Sequence, residues 1–183
     1  MDSAAARERA LDAAEELFYG RGVRAVGMDD VRGTSGVSLK RLYQLFPSKE
    51  HLVVAYLERR DTRWRGQLAA HVERHGEPRE RILAVFDRLG EWFGEPGFRG
   101  CAWLNAYGEL GAGSVRVAAL VRAHKRAFRE YLGSLTADAG LPDALAGQLF
   151  LLAEGAMVTA GVTGSAGPAA EAREAARRLL DAV

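Results

Sequence analysis

The stretch VRGTSGVSLKRLYQLFPSKEHL, residues 31–52, constrains the fold more than any other part of the chain. It predicts two short helices joined at Gly36, where the backbone freedom of glycine permits a left-handed turn residue. Ser38 is a suitable N-cap for the second helix, and Pro47 disfavours helical geometry at the residue before it. Two short helices around a glycine turn are the layout of a helix-turn-helix, which places its second helix in the DNA major groove.

Apolar residues give the second short helix a buried side and an exposed side. Val37 is predicted to fill the space between the two helices, and Leu42, Leu45 and Phe46 recur at the i, i+3, i+4 spacing of one helical face. We therefore expect the polar residues of this helix to lie on its outer face. Ser48 is then suited to cap a third helix.

The outer residues have the chemistry of a DNA-reading surface. Lysine and arginine bind phosphates or the acceptor edge of guanine, glutamine pairs with adenine, and tyrosine packs on a sugar or a thymine methyl group. A lysine beside a helix N-terminus adds its charge to backbone N–H groups that bind phosphate. The candidate DNA-binding residues are Arg32, Ser38, Lys40, Arg41, Tyr43, Gln44 and Lys49. The alternative interpretation is a solvated charged face on an ordinary pair of helices.

The segment from Arg7 to Leu52 resembles the N-terminal domain of the TetR/AcrR family of transcriptional regulators. Three matches carry the resemblance: an opening helix that ends in LFYGRGV, the GVS turn, and LYQLFPSKEHL, which is similar to the family signature Leu-Tyr-x-x-Phe-x-x-Lys-Glu-x-Leu. The resemblance implies an all-α fold of about nine helices. It implies a helix-turn-helix domain over residues 1–50 and a helical effector-binding and dimerisation domain over residues 51–183.

Several residues depart from the family pattern. Gly27 lies near the position where the family usually has a capping Thr or Ser, so we expect a weaker start to the first short helix. Arg32 and Ser35 stand where alanine is typical, and Gly33 weakens the helix by up to about 1 kcal/mol relative to alanine. Leu39 and Lys40 lie at the start of the recognition helix, where many relatives have Lys-Gly. These departures predict an unusual base preference.

Composition limits the other classes of protein. The formal net charge is only +1, so the DNA-binding prediction rests on local positive charge and not on the charge of the whole chain. We expect no apolar run long enough to span a membrane, and no signal peptide, because the first ten residues lack an apolar core. The single cysteine, Cys101, excludes an internal disulfide. A cytoplasmic protein is expected.

The remaining sequence is predicted to be helical, without useful β-alternation or an internal repeat. Pro78 is well placed in the first turn of a helix, and Ser114 is a suitable cap for a long one. Further helices are predicted over residues 102–110, from Leu141 to about Val162, and from Ala169 to Val183.

The segment from Leu145 to Ala160 is apolar on more than one face. A helix that is apolar nearly all round is either buried in its own domain or meets a partner. The family resemblance implies the second alternative, in which the last two helices of each subunit form a four-helix dimer interface. Such a homodimer would present two recognition helices to a pseudo-palindromic operator in double-stranded DNA, with half-sites spaced by roughly 34–36 Å or somewhat more.

The middle helices are expected to hold a pocket for a small-molecule effector. Pockets of this kind have apolar walls and a few placed polar groups. The candidate ligand-binding residues are Trp92, Phe93, Trp103, Asn105, Tyr107, Glu109, His124, Phe128 and Met157. These walls favour an apolar or aromatic ligand. Each aromatic residue also has the simpler interpretation of a core residue. A ligand that prefers misplaced recognition helices would lower operator affinity.

Other chemistry has weaker support. Cys101 follows Arg99 and Gly100 and is a candidate redox thiol because nearby positive charge favours the thiolate, although a lone cysteine is more often a small apolar residue. His71 and His75 have a metal-compatible spacing, with a solvated pair as the simpler alternative. The sequence contains no phosphate-binding loop, nucleophile elbow or zinc-protease motif, so we expect no cofactor, no metal and no enzymatic activity.

Repression is favoured over activation, because a compact dimer on a promoter blocks polymerase without further contacts. The main alternative from another class is a helical enzyme or carrier that uses the central apolar cavity and keeps the N-terminal motif as scaffold. A ligand-independent architectural DNA binder is the other alternative.

Overall fold

The computed structural model describes residues 2–183, which form nine helices and no strand. The all-α prediction is therefore confirmed over this range. The helices are α1 (Ser3–Arg21), α2 (Met28–Ser35), α3 (Leu39–Leu45), α4 (Lys49–Val72), α5 (Pro78–Phe93), α6 (Ala102–Leu110), α7 (Val115–Asp138), α8 (Ala144–Thr163) and α9 (Gly167–Asp181).

The predicted turn signals lie where the short helices begin and end. Gly36 follows α2 in the left-handed region with φ of 65°, and its N–H donates to the carbonyl of Arg32 at 3.0 Å. The Ser38 hydroxyl accepts a hydrogen bond from the Arg41 N–H at 3.3 Å and so caps α3. Phe46, directly before Pro47, is extended with φ of −136° and ψ of 100°, which ends α3. Local sequence rules therefore account for the helix-turn-helix.

The later helices are also set by local signals, with small differences from the expected bounds. Pro78 occupies the first turn of α5, and the Ser114 hydroxyl accepts from the Val117 N–H at 3.1 Å at the start of α7. Helix α4 ends at Val72, where the chain turns toward Gly76 and Pro78. Helix α8 begins at Ala144 and not at Leu141, and α9 ends at Asp181 and not at Val183.

The described chain divides into two compact units. The first unit runs up to Asp61 and also contains Ala102–Arg122, while the second consists of Thr62–Cys101 and Ala123–Val183. Helix α6 and the start of α7 therefore belong to the same unit as the helix-turn-helix. The expected boundary at residue 50 rested on the resemblance of the opening residues alone and gave no information about α6.

The core of the first unit joins α1 and α4 to the helix-turn-helix. Leu11, Val31, Leu42 and Leu52 are fully buried, and the rings of Phe18 and Tyr56 meet edge to face at 5.9 Å. Leu45 is only half-buried, so the expected buried face of α3 is narrower than the sequence pattern indicated. The buried contacts of α3 come from Leu42 in the middle of the helix and from Phe46 directly after its last residue.

Helix α8 corrects one expectation about the membrane. Ala144–Thr163 is long and apolar enough to cross a bilayer, with a mean hydropathy of 1.5, whereas no such stretch was expected. A helix in the core of a globular protein can be equally long and apolar. This helix buries Leu149, Ala153 and Met157 within the second unit. Its composition is therefore explained by packing on one side, and its other face needs a separate account.

Candidate nucleic-acid interface

The outer face of α3 carries three exposed polar side chains at helical spacing. Lys40, Tyr43 and Gln44 are exposed, and Tyr43 presents 47% of its surface, while Leu42 on the opposite side is fully buried. The half-buried Arg41 donates from its guanidinium to the Gln44 side-chain oxygen at 3.1 Å. This arrangement offers cationic, amide and phenolic groups together on one surface, as the sequence predicted.

Two other candidate DNA-binding residues already have partners. Arg32, on α2, donates from Nε to the Asp29 carboxylate at 3.0 Å, and both side chains are exposed. An exposed ion pair of this kind contributes at most about 1 kcal/mol, so a phosphate can compete with Asp29 for the guanidinium. The Ser38 hydroxyl caps α3, which gives it a structural role whether or not it also touches DNA.

Asp30 supports the start of α2, where Gly27 has no side chain to cap the helix. Its carboxylate accepts a hydrogen bond from the Gly27 N–H at 2.7 Å. This contact satisfies one backbone donor at the start of α2, and the two acidic residues of the first turn suit the positive end of the helix. The start of α2 is therefore supported from the third helical position, which the expectation of a weak cap overlooked.

Lys49 is half-buried at the start of α4, beside the motif. Its ammonium lies 6.0 Å from the centre of the Phe18 ring. Burial lowers the pKa of Lys49, while the negative charges of Glu109 and Asp30 act in the opposite direction. A groove of about 270 Å³ adjoins Lys49 and is also lined by Val23, Arg24, Glu50, Val53, Leu110, Gly113 and Ser114. Lys49 is thus less exposed than the lysine on α3.

Glu109 of α6 holds the loop that leads into α2. Its two carboxylate oxygens accept from the backbone N–H of Val23 at 3.0 Å and from that of Arg24 at 2.6 Å. Both oxygens of Glu109 are therefore bound to the backbone, which gives this residue a structural role, and its role as a polar handle for an effector stays a prediction. Sequence reasoning missed this contact, since about 85 residues separate the partners.

The start of α4 is held by residues at the start of α7. The Ser114 hydroxyl donates to the Glu50 carboxylate, and the Arg116 guanidinium lies 2.8 Å from Nε2 of His51. The other ring nitrogen of His51 lies 2.8 Å from the Ser48 hydroxyl. The residues that flank the helix-turn-helix are thus tied to the segment that joins α6 to α7.

Known proteins with this arrangement are bacterial regulators. The sequence model for "Bacterial regulatory proteins, tetR family" matches residues 10–56. The crystal structure of a TetR-family transcriptional regulator from Streptomyces coelicolor is 30% identical, with 98% of this chain and 96% of that chain covered and a TM-score of 0.91. The chain belongs to the TetR family. It is accordingly a DNA-binding transcriptional regulator and not a member of an enzyme family.

Two curated relatives match the N-terminal part only. An uncharacterised HTH-type transcriptional regulator of Mycobacterium tuberculosis is 37% identical over 78 residues, which are 43% of this chain and 39% of that relative. The HTH-type transcriptional activator FasR of Mycolicibacterium smegmatis is 47% identical over 53 residues, which are 29% of this chain and 24% of FasR. The match spans about two fifths or less of these relatives, so it bears on the DNA-binding part of this TetR-family chain.

The candidate ligand-binding residues are distributed over both units. Trp92, Phe93, His124, Phe128 and Met157 belong to the second unit and are all buried there. Three of them contact Trp64, which was not among the candidates: its ring meets that of Trp92 at 5.8 Å and those of His124 and Phe128 at 5.3 Å. The aromatic spacing along α4 could have indicated Trp64.

One groove in the second unit of this TetR-family protein is lined by both polar and apolar residues. It measures about 340 Å³ and is lined by Thr62, Arg65, Gly66, Ala69, Ala127, Phe128 and Tyr131. Phe128 is the only one of the nine candidates in this lining. The other four candidates, in the first unit, differ in exposure: Trp103 is fully buried, Asn105 and Tyr107 are exposed, and Glu109 holds the loop before α2.

The residues considered for other chemistry have packing partners. Cys101 is buried, and the ammonium of Lys125 lies 3.4 Å from its sulfur and 2.6 Å from the Glu154 carboxylate. His71 is buried beside Glu91, at 3.4 Å, and is hydrogen-bonded to Arg74. Within residues 2–183, no three His, Cys, Asp or Glu side chains lie close enough together to hold a metal ion.

Proposed function

We propose that this TetR-family regulator is a cytoplasmic repressor that binds a pseudo-palindromic operator as a homodimer and is released by a small, largely apolar or aromatic ligand. The observation that carries the DNA-binding part is the exposed face of α3, where Lys40, Tyr43 and Gln44 stand opposite the buried Leu42. A recognition helix that is anchored on one side presents such a face to the major groove.

The proposed contacts divide by chemistry. Lys40 and Gln44 reach base edges, because lysine pairs with guanine acceptors and glutamine with adenine. Tyr43 and Arg41 position the helix on the sugar-phosphate backbone, and Lys49 supplies one phosphate contact beside the start of α4. Arg32 adds a phosphate contact when its guanidinium leaves Asp29, and Ser38 keeps the N-terminus of α3 in register.

The homodimer is proposed to form through α8 and α9. Leu151, Val158 and Val162 are exposed on α8 by 70%, 44% and 83%, and the exposed Gly155 lies between the first two. Their spacing of four, three and four residues places them on one face of the helix. Burial of this apolar face against a second copy contributes about 25 cal/mol per Å² of apolar surface removed from water.

The proposed effector site uses the aromatic cluster of the second unit. Trp92, His124, Phe128 and Met157 provide apolar walls, and the edge-to-face contacts of Trp64 with three of these rings favour a flat aromatic ligand. Such a ligand lowers operator affinity only if it binds more tightly to the conformation that misplaces the recognition helices. Operator titrations with and without a ligand found in an aromatic-compound screen test this step.

The first experiment is selection of bound sequences from a random duplex pool by the purified wild-type chain at near-physiological salt. We expect an enriched pseudo-palindrome. The double variant Lys40→Ala with Tyr43→Ala should lose the enrichment, whereas Arg126→Ala, an exposed arginine on α7, should retain it. Enrichment that survives the double variant would remove α3 as the reading helix.

The direction of regulation is tested with a reporter gene placed behind the selected operator. A repressor lowers reporter transcription when the wild-type chain is expressed, and the double variant restores it. Higher transcription in the presence of the wild-type chain would instead assign it the role that the name of FasR gives to that relative.

A further inference from the structure

We infer that Glu109 is a positioning residue for DNA binding, and that α6 holds the helix-turn-helix in its DNA-competent orientation through this side chain. The inference rests on the proposed function of α3. Glu109 lies in the last turn of α6, and its carboxylate binds the backbone N–H groups of Val23 and Arg24, in the loop that joins α1 to α2.

The backbone of this loop is shaped to receive the carboxylate. Gly22 has φ of 88°, a conformation that residues with a side chain rarely adopt. A Cβ added to Gly22 would lie 3.1 Å from one Glu109 oxygen, so the carboxylate fills the space that glycine leaves. The backbone N–H groups of Val23 and Arg24 each donate to a different oxygen of the Glu109 carboxylate. The contact is therefore a pair of hydrogen bonds to one charged acceptor.

The position of Glu109 in its helix gives an independent argument. The C-terminal end of an α-helix carries partial negative charge, so an acidic residue in the last turn is unfavourable for the helix itself. Glu109 occupies that turn of α6. Its charge is therefore explained by the contact with the loop and not by the stability of α6.

A second contact fixes the other side of the motif. The Ser114 hydroxyl donates to Glu50 in the first turn of α4, directly after α3 and its proline stop. Glu109 and Ser114 are only five residues apart, yet one holds the chain before α2 and the other holds it after α3. The helix-turn-helix is thus held at both ends, by the last turn of α6 through Glu109 and by the segment that follows α6 through Ser114.

The energetic consequence is a limit on the orientations of α2 and α3. When the loop before α2 is released, the motif samples arrangements that do not fit the major groove, and the apparent operator affinity falls in proportion to the competent fraction. A hydrogen bond to a charged group is strong enough for its loss to reduce that fraction by about tenfold.

The test uses the full chain with two variants and one control. Glu109→Gln keeps the shape but replaces one acceptor oxygen with an N–H donor, and Glu109→Asp keeps the charge but withdraws the carboxylate by one methylene. Both variants should bind the selected operator about tenfold more weakly. Glu16→Gln, an exposed glutamate on α1 of the same unit, should bind like the wild type.

Amide NMR supplies a readout that general destabilisation would not produce. In both variants the N–H signals of Val23 and Arg24 should move to higher field, while those of core residues in α1 and α4 stay in place. Moved amides with unchanged operator affinity would overturn the positioning role. Unmoved amides would overturn the contact itself.

The two variants also separate geometry from charge. Full affinity in Glu109→Asp with reduced affinity in Glu109→Gln would overturn positioning in favour of a simple attraction between Glu109 and Lys49. Failure of the proposed function has a different signature, because the wild-type chain would then enrich no sequence even though its Val23 and Arg24 amides show the low-field positions of a carboxylate contact.

Discussion

Gly33 and Gly36 lie three residues apart, and the structure predicts opposite effects on stability when each is replaced by alanine. Gly36 has φ of 65°, and an added Cβ would lie 2.7 Å from a guanidinium nitrogen of Arg9. Gly33 is an exposed residue within α2, where an added Cβ would meet nothing within 4 Å. Gly36→Ala should therefore cost about 1–2 kcal/mol of stability because of the left-handed backbone. Gly33→Ala should gain up to about 1 kcal/mol.

Chemical denaturation of the wild type and the two variants measures the free energy of unfolding of each. The expected result is a lower value for Gly36→Ala and a higher value for Gly33→Ala. Because both changes add one methyl group to the same short segment, general effects of side-chain size cancel in the comparison. An equal loss of stability in both variants would contradict the prediction that position 36 requires glycine.

His71 gives the second unit a pH-dependent stability. Burial lowers the pKa of His71 below its usual value of 6.5; the positive charges of Arg74, Arg88 and His75 act in the same direction, and Glu91 opposes them. As the pH falls below about 6.5, the unfolded chain takes up this proton more readily than the folded one. The folded state therefore loses stability between pH 7 and pH 5.

Replacement of His71 by glutamine should flatten that pH dependence. The measurement is the thermal unfolding midpoint of the wild type and of His71→Gln at several pH values from 5 to 7.5. Above about pH 7 the imidazole is neutral in both states, so its charge makes no contribution there. A midpoint that falls equally with pH in both proteins would show that His71 does not carry the effect.

Contacts close in sequence could be predicted and distant ones could not. The cap at Ser38, the turn at Gly36 and the stop before Pro47 depend on neighbouring residues, so the sequence pattern was sufficient for each. The contact of Glu109 with Arg24 depends on how α6 packs beside the first helices. No local pattern encodes that packing, and the residue type alone suggested a ligand handle instead.

At the scale of one helix, α3 makes a quantitative prediction about salt. Each phosphate contact releases condensed counterions, so its removal lowers the slope of log affinity against log salt by about 1. Arg41→Ala should show this lower slope and weaken binding similarly on all duplexes. Gln44→Ala should keep the slope and lose discrimination at one base pair. Operator titrations from low to physiological salt, with Arg126→Ala as control, measure both effects.

The reverse assignment has a clear signature. If Arg41→Ala changed base preference while Gln44→Ala lowered the salt slope, the roles on α3 would be exchanged. The bond between the two side chains, at 3.1 Å, makes some coupling natural, so the double variant should also be titrated. A double variant whose effect differs from the sum of the single effects would measure that coupling.

Helix α8 makes a prediction about association. Leu151→Glu places a charge at the N-terminal end of the exposed apolar face formed by Leu151, Val158 and Val162, and it should convert the proposed dimer to a monomer. Val115→Glu is a suitable control, because Val115 is 85% exposed but belongs to α7 and to the first unit. Sedimentation over a range of concentrations distinguishes the two variants. A monomeric wild type, or a Leu151→Glu variant that remains dimeric, would contradict the proposed interface.

The sequence of α8 left two interpretations open for a physical reason. A helix that is apolar all round has no polar face from which to read its orientation. The structure resolves the buried side, which contains Leu149, Ala153 and Met157, and leaves Leu151 and Val162 exposed on the other. Periodicity alone could not have separated these two faces.

For the whole molecule, two-fold symmetry predicts how the operator is organised. An isologous dimer has its two recognition helices related by a two-fold axis, so the DNA half-sites must be inverted repeats that face the same side of the duplex. Insertion of about 5 bp between the half-sites rotates one of them to the opposite face, because B-DNA completes a turn in about 10–10.5 bp. The proposed wild-type dimer should then lose most of its affinity for the operator.

The Leu151→Glu variant distinguishes symmetry from simple proximity. A monomer contacts one half-site at a time, so its weak binding should not change when 5 bp are inserted, whereas the wild type should fall to a similar weak level. Titration of both proteins on the original and the lengthened operator gives four affinities. If the insertion weakened both proteins equally, binding would depend on the sequence between the half-sites, and the two-fold arrangement of recognition helices would be wrong.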